Sequence, residues 1–156
     1  MSSPIHIRRA ALDEILDLRH AILRAGLPRE AAIFPGDELS TSRHYGAFAG
    51  PGATARTVGC ATFHLNQCDG APAWQLRGMA TDAEHRRQGL GRAMLAVAER
   101  DLLLDPAVPR QLWCNARVPA IKFYQALGWT VVSETFEIPT AGPHVKMVRE
   151  AGGPGR

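Results

Sequence analysis

Arg86-Arg87-Gln88-Gly89-Leu90-Gly91-Arg92 sets three guanidinium side chains around two glycines. The apolar stretch Ala73–Thr81 precedes it, and a run of strong helix formers, Ala93–Arg100, follows. A strand, a basic glycine turn and a helix, in that order, leave the first backbone N–H groups of the helix without intrahelical partners. The macrodipole favours an anion there, and the missing side chains let a phosphate come close. The residues themselves exclude two other phosphate loops. A Walker loop needs Gly-Lys-Ser/Thr, whereas this turn ends Gly-Leu-Gly-Arg. A dinucleotide fingerprint needs a third small residue, and Met94 stands at that position. The plain alternative is a solvated charge cluster on an ordinary helix start.

Other reactive side chains form no constellation. His6, His20, His44, His64 and His85 are scattered without ligand spacing, and no Cys/His cluster suggests a metal. The three cysteines, Cys60, Cys68 and Cys114, cannot all pair, and none sits in a close CxxC. Free thiols and a reducing, cytoplasmic compartment are therefore expected. Cys114 lies in an apolar strand with no histidine beside it in sequence, which reads as an inert buried thiol rather than an acyl-accepting nucleophile.

The elements that must position the turn follow from periodicity. Ile5–Arg9 alternates as a strand, and Leu12, Ile15, Leu16, Leu18, Ile22 and Leu23 recur at helical spacing over Ala11–Arg24. Gly26 and Pro28 stop that helix. Residues 27–43 read as a polar surface excursion with room for one short helix. Strands at His44–Ala49 and Thr57–Leu65 are joined by Gly50-Pro51-Gly52, and Asp69-Gly70-Ala71-Pro72 turns into a strand over 73–81. The next helix runs from Gly89 to Leu104. Gln111–Asn115 is a buried strand, and Pro119 opens a helix that ends at Leu127 before Gly128. Trp129–Ile138 and His144–Arg149 are the last strands, and the Gly/Pro-rich Ala151–Arg156 is expected to be a disordered tail.

At 156 residues, 46% hydrophobic and 21% charged, the chain is expected to fold as a single domain over residues 1–150. The net charge of +3 and pI ≈ 9.1 suit an anionic small molecule. No basic stripe interleaved with aromatics supports nucleic-acid binding, and no run reaches membrane-spanning length. A soluble protein with neither partner is expected.

Arg-x-x-Gly-x-Gly is the pyrophosphate-binding signature of the GCN5-related N-acetyltransferases (GNAT). Arg86–Gly91 resembles it, and the order of elements resembles that family's fold from Pro4 to Arg149. The resemblance implies an α/β fold, a mixed sheet of about six to seven strands with helices on both faces. It implies acetyl-coenzyme A as co-substrate, no metal, and an amine acceptor that is a small molecule or a peptide or protein amine. Arg86, Arg87, Gln88, Gly89, Leu90, Gly91 and Arg92 would hold the pyrophosphate. Met79, Ala80 and Thr81, at the end of a strand that splays from its neighbour in the family, would offer backbone groups to the pantetheine arm and the thioester carbonyl.

Leu112–Arg117 and Ala120–Trp129 resemble the family's late motif, in which an Asn follows a strand and Phe-Tyr lies on the next helix. Asn115 would then bond the coenzyme arm, and Tyr124 would protonate the departing thiolate. A phenol can both give a proton and recover one from solvent. Phe136–Met147 resembles the C-terminal hairpin of ElaA-like members, with its Pro-His-x-x-Met segment.

One position departs from the pattern. Gln75 stands where several relatives carry a catalytic Glu, and an amide cannot act as a base. His144 is the first substitute, because imidazole titrates near neutrality; Glu134 and Glu137 are weaker ones. An acyl-coenzyme A sensor or scaffold without catalysis is the alternative that Gln75 keeps open. Exposed sheet edges leave room for a homodimer.

Overall fold

The structure, a computed structural model, describes residues 4–154. In chain order the elements are β1 (Ile5–Ala10), α1 (Leu12–Leu23), β2 (Arg43–Ala49), β3 (Arg56–Leu65), β4 (Trp74–Thr81), α2 (Leu90–Leu102), β5 (Gln111–Arg117), α3 (Ile121–Ala126), β6 (Thr130–Val131), β7 (Phe136–Ile138) and β8 (Gly142–Glu150). One eight-stranded sheet runs β1-β2-β3-β4-β5-β8-β6, with β7 also on β8. All neighbours are antiparallel except β4 and β5, which the α2 crossover makes parallel.

Helices cover both faces. Ile15 of α1 is fully buried with Cys60 and Ala80 on one face. On the other, Leu95, Ala98 and Leu102 of α2 pack on Phe63, Trp74, Leu76 and Leu112, and Tyr124 of α3 joins the same cluster. Alternation along each strand sends successive side chains to opposite faces, so a sheet covered on both sides reads as a nearly continuous apolar run. The segment Val58–His64 is buried throughout for that reason.

Two irregularities in β4 shape the centre of the molecule. Cys60 pairs with Ala80 but Thr62 pairs with Arg77, so β4 holds one extra residue against β3. Gly78 takes up that bulge at φ 64°. β4 also pairs with β5 only at Trp74↔Leu112 and Gln75↔Trp113. Beyond those rungs β5 stays with β8 as far as Arg117↔His144, while β4 stays with β3 as far as Thr81. The two strands part, and the β5-side edge of β4 from Leu76 onward has no strand partner.

The structure departs from the expected layout in places. Trp129–Ile138 is two short strands, not one. Val132 N–H still bonds the Lys146 carbonyl at 2.9 Å, but the Lys146 N–H then goes to the Ser133 hydroxyl at 2.8 Å, and this side-chain acceptor interrupts the ladder. The split raises the strand count to eight. Residues 27–43 carry a short 3-10 turn at Arg29–Ala32, as expected, but are more than a surface excursion: Ala32 is fully buried and Asp37 nearly so. In the segment read as a loose tail, Ala151 is buried, and Arg149 donates to the carbonyls of Gly153 and Pro154. Residues 155 and 156 lie outside the described residues.

Candidate active site

The glycine turn is built to leave donors free. Arg87 (φ 62°) and Gly89 (φ 77°) both adopt the left-handed conformation, and Gly89 is the N-cap of α2 without any side-chain cap. The first intrahelical bond comes from Ala93 N–H to the Gly89 carbonyl at 3.0 Å. The N–H groups of Leu90, Gly91 and Arg92 therefore have no acceptor within the helix. They border a cavity of about 670 Å³ whose walls include Thr81, Arg86, Arg87, Arg92, Phe123 and Leu127. A Cβ on Gly91 would stand 2.9 Å from Met79 Cε and 3.2 Å from Phe123 Cζ, so only glycine keeps this wall open without displacing side chains.

The turn residues are not equivalent. Arg87 and Arg92 enter no ion pair among the described residues. Arg86 Nε donates to the Thr81 carbonyl at 3.3 Å, and Gln88 Nε2 to the Glu84 carbonyl at 3.1 Å, which braces the turn against the end of β4. The Leu90 side chain is core, so only its backbone is available to a ligand.

A second cavity, about 470 Å³, opens where β4 and β5 part. It is lined by Gln75, Arg77, Asn115 and His144, by Arg24 at the end of α1, and by Phe34. Met79, Ala120 and Tyr124 line both cavities and form their junction. Tyr124 is only 8% exposed and sits edge-on between Phe123 and Trp129, with ring centroids at 5.1 and 5.4 Å. Its hydroxyl has one partner, the Met79 thioether at 3.7 Å, a weak acceptor that a better one displaces. Burial, with a smaller push from Cys114, raises its ionisation far above the ordinary phenol range. The phenol therefore stays protonated.

His144 is nearly buried and stacks on Phe136 at 6.2 Å. Its Nδ1 lies 2.7 Å from the Gly142 carbonyl, which can only accept, so Nδ1 carries a proton and that bond fixes the ring. Gln75 is held by Asn66, whose amide donates to Gln75 Oε1 at 2.9 Å. Glu134 and Glu137 are exposed and line neither cavity. Cys114 is buried and its thiol is pushed up to about 12 by desolvation, which leaves it unreactive. Asn115 lies in the second cavity, away from the glycine turn. Among the described residues no group of three or more His, Cys, Asp or Glu could hold a metal ion, and no helix is long and apolar enough to cross a membrane.

Sequence reasoning missed a buried polar network behind the second cavity. Arg19, fully buried on α1, donates to Asp37 at 2.6 Å, to the Ala32 carbonyl at 2.8 Å and to Thr62 Oγ1 at 2.7 Å. Thr62 in turn donates to His44 Nδ1 at 2.8 Å, and His44 Nε2 donates to the Asp37 carbonyl at 3.0 Å. Burial alone would raise the Asp37 carboxyl. The His64 ring 3.3 Å away and bonds from Arg19 and the Phe34 N–H outweigh it and hold the group well below the carboxylate range. The network ties the 27–43 excursion to the sheet under the β4 bulge, where a Cβ on Gly78 would stand 2.7 Å from Arg19 Nε. A signal existed: with Leu12, Ile15, Leu16, Ile22 and Leu23 apolar, the same helical spacing places position 19 on the buried face.

Comparison with known proteins assigns the class. The sequence model of the acetyltransferase (GNAT) domain matches residues 41–131, more than half of this chain, so the chain belongs to the GNAT family and is an N-acetyltransferase. It is 29% identical over 148 residues to YitI, an uncharacterized N-acetyltransferase of Bacillus subtilis, across 93% of this chain and 95% of that one. Among solved structures, Escherichia coli ElaA superposes with a TM-score of 0.73 at 19% identity, covering 94% of this chain and all (100%) of that one. An aminoglycoside 6'-N-acetyltransferase solved with coenzyme A gives a TM-score of 0.70 at 12% identity, covering 97% and 99%. At those identities the two structures share the fold.

Proposed function

We propose that this enzyme transfers an acetyl group from acetyl-coenzyme A to a primary amine by direct attack within a ternary complex. The observation that carries the proposal is the junction: a cavity walled by uncapped helix donors and arginines meets a cavity lined by the His144 ring, and Tyr124 borders both. The Gly91 wall and the N–H groups of Leu90, Gly91 and Arg92 fit a pyrophosphate, with Arg86, Arg87 and Arg92 balancing its charge. Bound there, acetyl-coenzyme A supplies the activated acetyl thioester.

The chain's own groups do the rest. The unpaired edge of β4 at Met79–Thr81 offers backbone polar groups fixed before reaction, the requirement for stabilising a developing oxyanion. The acceptor nitrogen forms a bond to the acetyl carbon, and the carbon–sulfur bond breaks. His144 Nε2 takes the proton the amine must lose, and the Tyr124 hydroxyl gives one to the departing sulfur, so the proton count closes with solvent exchange. Gln75, engaged by Asn66, orients the acceptor without titrating. Asn115, which lines the cavity across the split, would bond the pantetheine arm where it passes between the strands.

Incubation with isotopically labelled acetyl-coenzyme A and a panel of amines, read by mass spectrometry, tests the proposal. An acetylated amine together with stoichiometric free coenzyme A is expected. Tight coenzyme binding with no transfer to any amine would replace the enzyme by an acyl-coenzyme A sensor.

A further inference from the structure

We propose that the acceptor is a small amine bearing an anionic group, of carboxylate or phosphate type, held by Arg77 and Arg24. The inference rests on the reading of the second cavity as the acceptor site. Three arginines, Arg24, Arg77 and Arg117, line that cavity and no Asp or Glu does. None of the three enters an ion pair among the described residues, although most other arginines in the described chain do.

Arg77 is the most telling. It is partly buried on β4, and among the described residues its side chain makes one bond, to the Pro35 carbonyl, with its Nε buried and unpartnered. Desolvation lowers its pKa, and the carboxylate that acts on it through space, Asp37, is already bonded to Arg19. A half-desolvated guanidinium with an unused donor is costly unless something anionic completes it.

Phe34 organises the pair. Its ring carries Arg24 at 4.9 Å and Arg77 at 5.7 Å from the centroid, so the two cavity guanidinium groups are spread around one aromatic anchor. Such forks bind carboxylate or phosphate oxygens through paired N–H bonds. A volume of about 470 Å³ suits a small molecule. The same charge acts on the nucleophile: with cations and no carboxylate around it, an amine in this cavity is held less firmly as ammonium, the form that cannot attack. A polycationic acceptor would be repelled by all three arginines.

The test compares matched amines: an amino acid, its carboxamide, an aminoalkyl phosphate and a diamine of similar length. Wild-type enzyme is expected to favour the anionic amines over carboxamide and diamine by roughly tenfold or more in kcat/KM, the scale of one charge-assisted bond. The amino acid and aminoalkyl phosphate arms separate the two anions. Arg77→Gln should raise KM for the anionic amine and erase the preference while leaving the KM for acetyl-coenzyme A unchanged. Arg24→Gln, at the partly buried C-terminal end of α1, serves if Arg77→Gln does not fold. Thermal-shift binding of the same amines is read in parallel. Anionic amines that bind in an Arg77-dependent way without being acetylated would refute the transferase reading and uphold the anion site. Equal or better turnover of the diamine or carboxamide, or a preference that survives both substitutions, would overturn the inference.

Discussion

Replacing Tyr124 with Phe isolates one proton. The ring stays in its edge-on contacts with Phe123 and Trp129 at 5.1 and 5.4 Å, and the only bond lost is to a thioether at 3.7 Å. Loss of so weak a bond should change folding stability by no more than about 0.5 kcal/mol. Removal of a general acid should lower turnover roughly 10²-fold, or about 2.7 kcal/mol at 1.36 kcal/mol per decade. Because burial lifts the phenol's ionisation so far, the wild-type rate should show no loss from Tyr124 deprotonation across an ordinary assay range. The assay is single-turnover acetyl transfer, in which product release cannot mask chemistry, with coenzyme A affinity measured separately. A roughly hundredfold slower step at unchanged affinity is expected. Wild-type single-turnover rates in the variant would refute the reasoning and reduce Tyr124 to a packing residue.

Further outcomes follow from the same geometry. His144→Gln keeps hydrogen bonding but cannot accept the amine's proton, so kcat should fall, whereas Gln75→Ala should act mainly by raising KM for the acceptor; wild-type kcat in His144→Gln would move the proton to a water relay. Arg19→Met strands a buried carboxylate at Asp37 and should cost about 3–5 kcal/mol by denaturant unfolding, while the double variant Arg19→Met/Asp37→Leu should recover part of the loss. Burial depresses the His44 pKa, so the unfolded chain binds more protons below the ordinary imidazole value: stability is fully present above about pH 6.5 and is lost as pH falls below it. Asp37, also depressed, adds a second loss only in the acidic carboxylate range. Thermal midpoints across pH 4–7.5 should show the first decline, and His44→Gln should flatten it.

The glycine turn was legible as a helix start with free donors because its requirement is local: two glycines, flanking arginines and a helix start occupy seven consecutive positions. Tyr124 was legible only through the family motif, since its burial at the junction depends on β5, β6 and α3 meeting, which no single segment encodes. Helices and long strands came within a few residues because their periodicity is strong. The split of β6 and β7 turned on one serine hydroxyl taking a backbone acceptor's place, and an apolar–polar pattern does not register that. The Arg19–Asp37 pair was hidden by distance in sequence, and the 27–43 segment looked solvent-exposed because its polar groups find buried partners on α1, β2 and β3. The arginines of the second cavity come from three separate elements, and only the parting of β4 and β5 brings them together.

The central claim is that coenzyme A is held by the glycine turn. Calorimetric titration of coenzyme A into wild type, Gly91→Glu and Arg92→Glu tests it most directly. Gly91→Glu puts bulk and negative charge against Met79 and Phe123 at the cavity wall. Arg92 is exposed and unpaired among the described residues, and an acid in the first turn of α2 suits the macrodipole, so Arg92→Glu should leave the ligand-free protein as stable or more so. Saturable binding by wild type, with a melting shift that grows with ligand concentration, and a large loss of affinity in both folded variants are predicted. Unchanged affinity in both variants would contradict the claim.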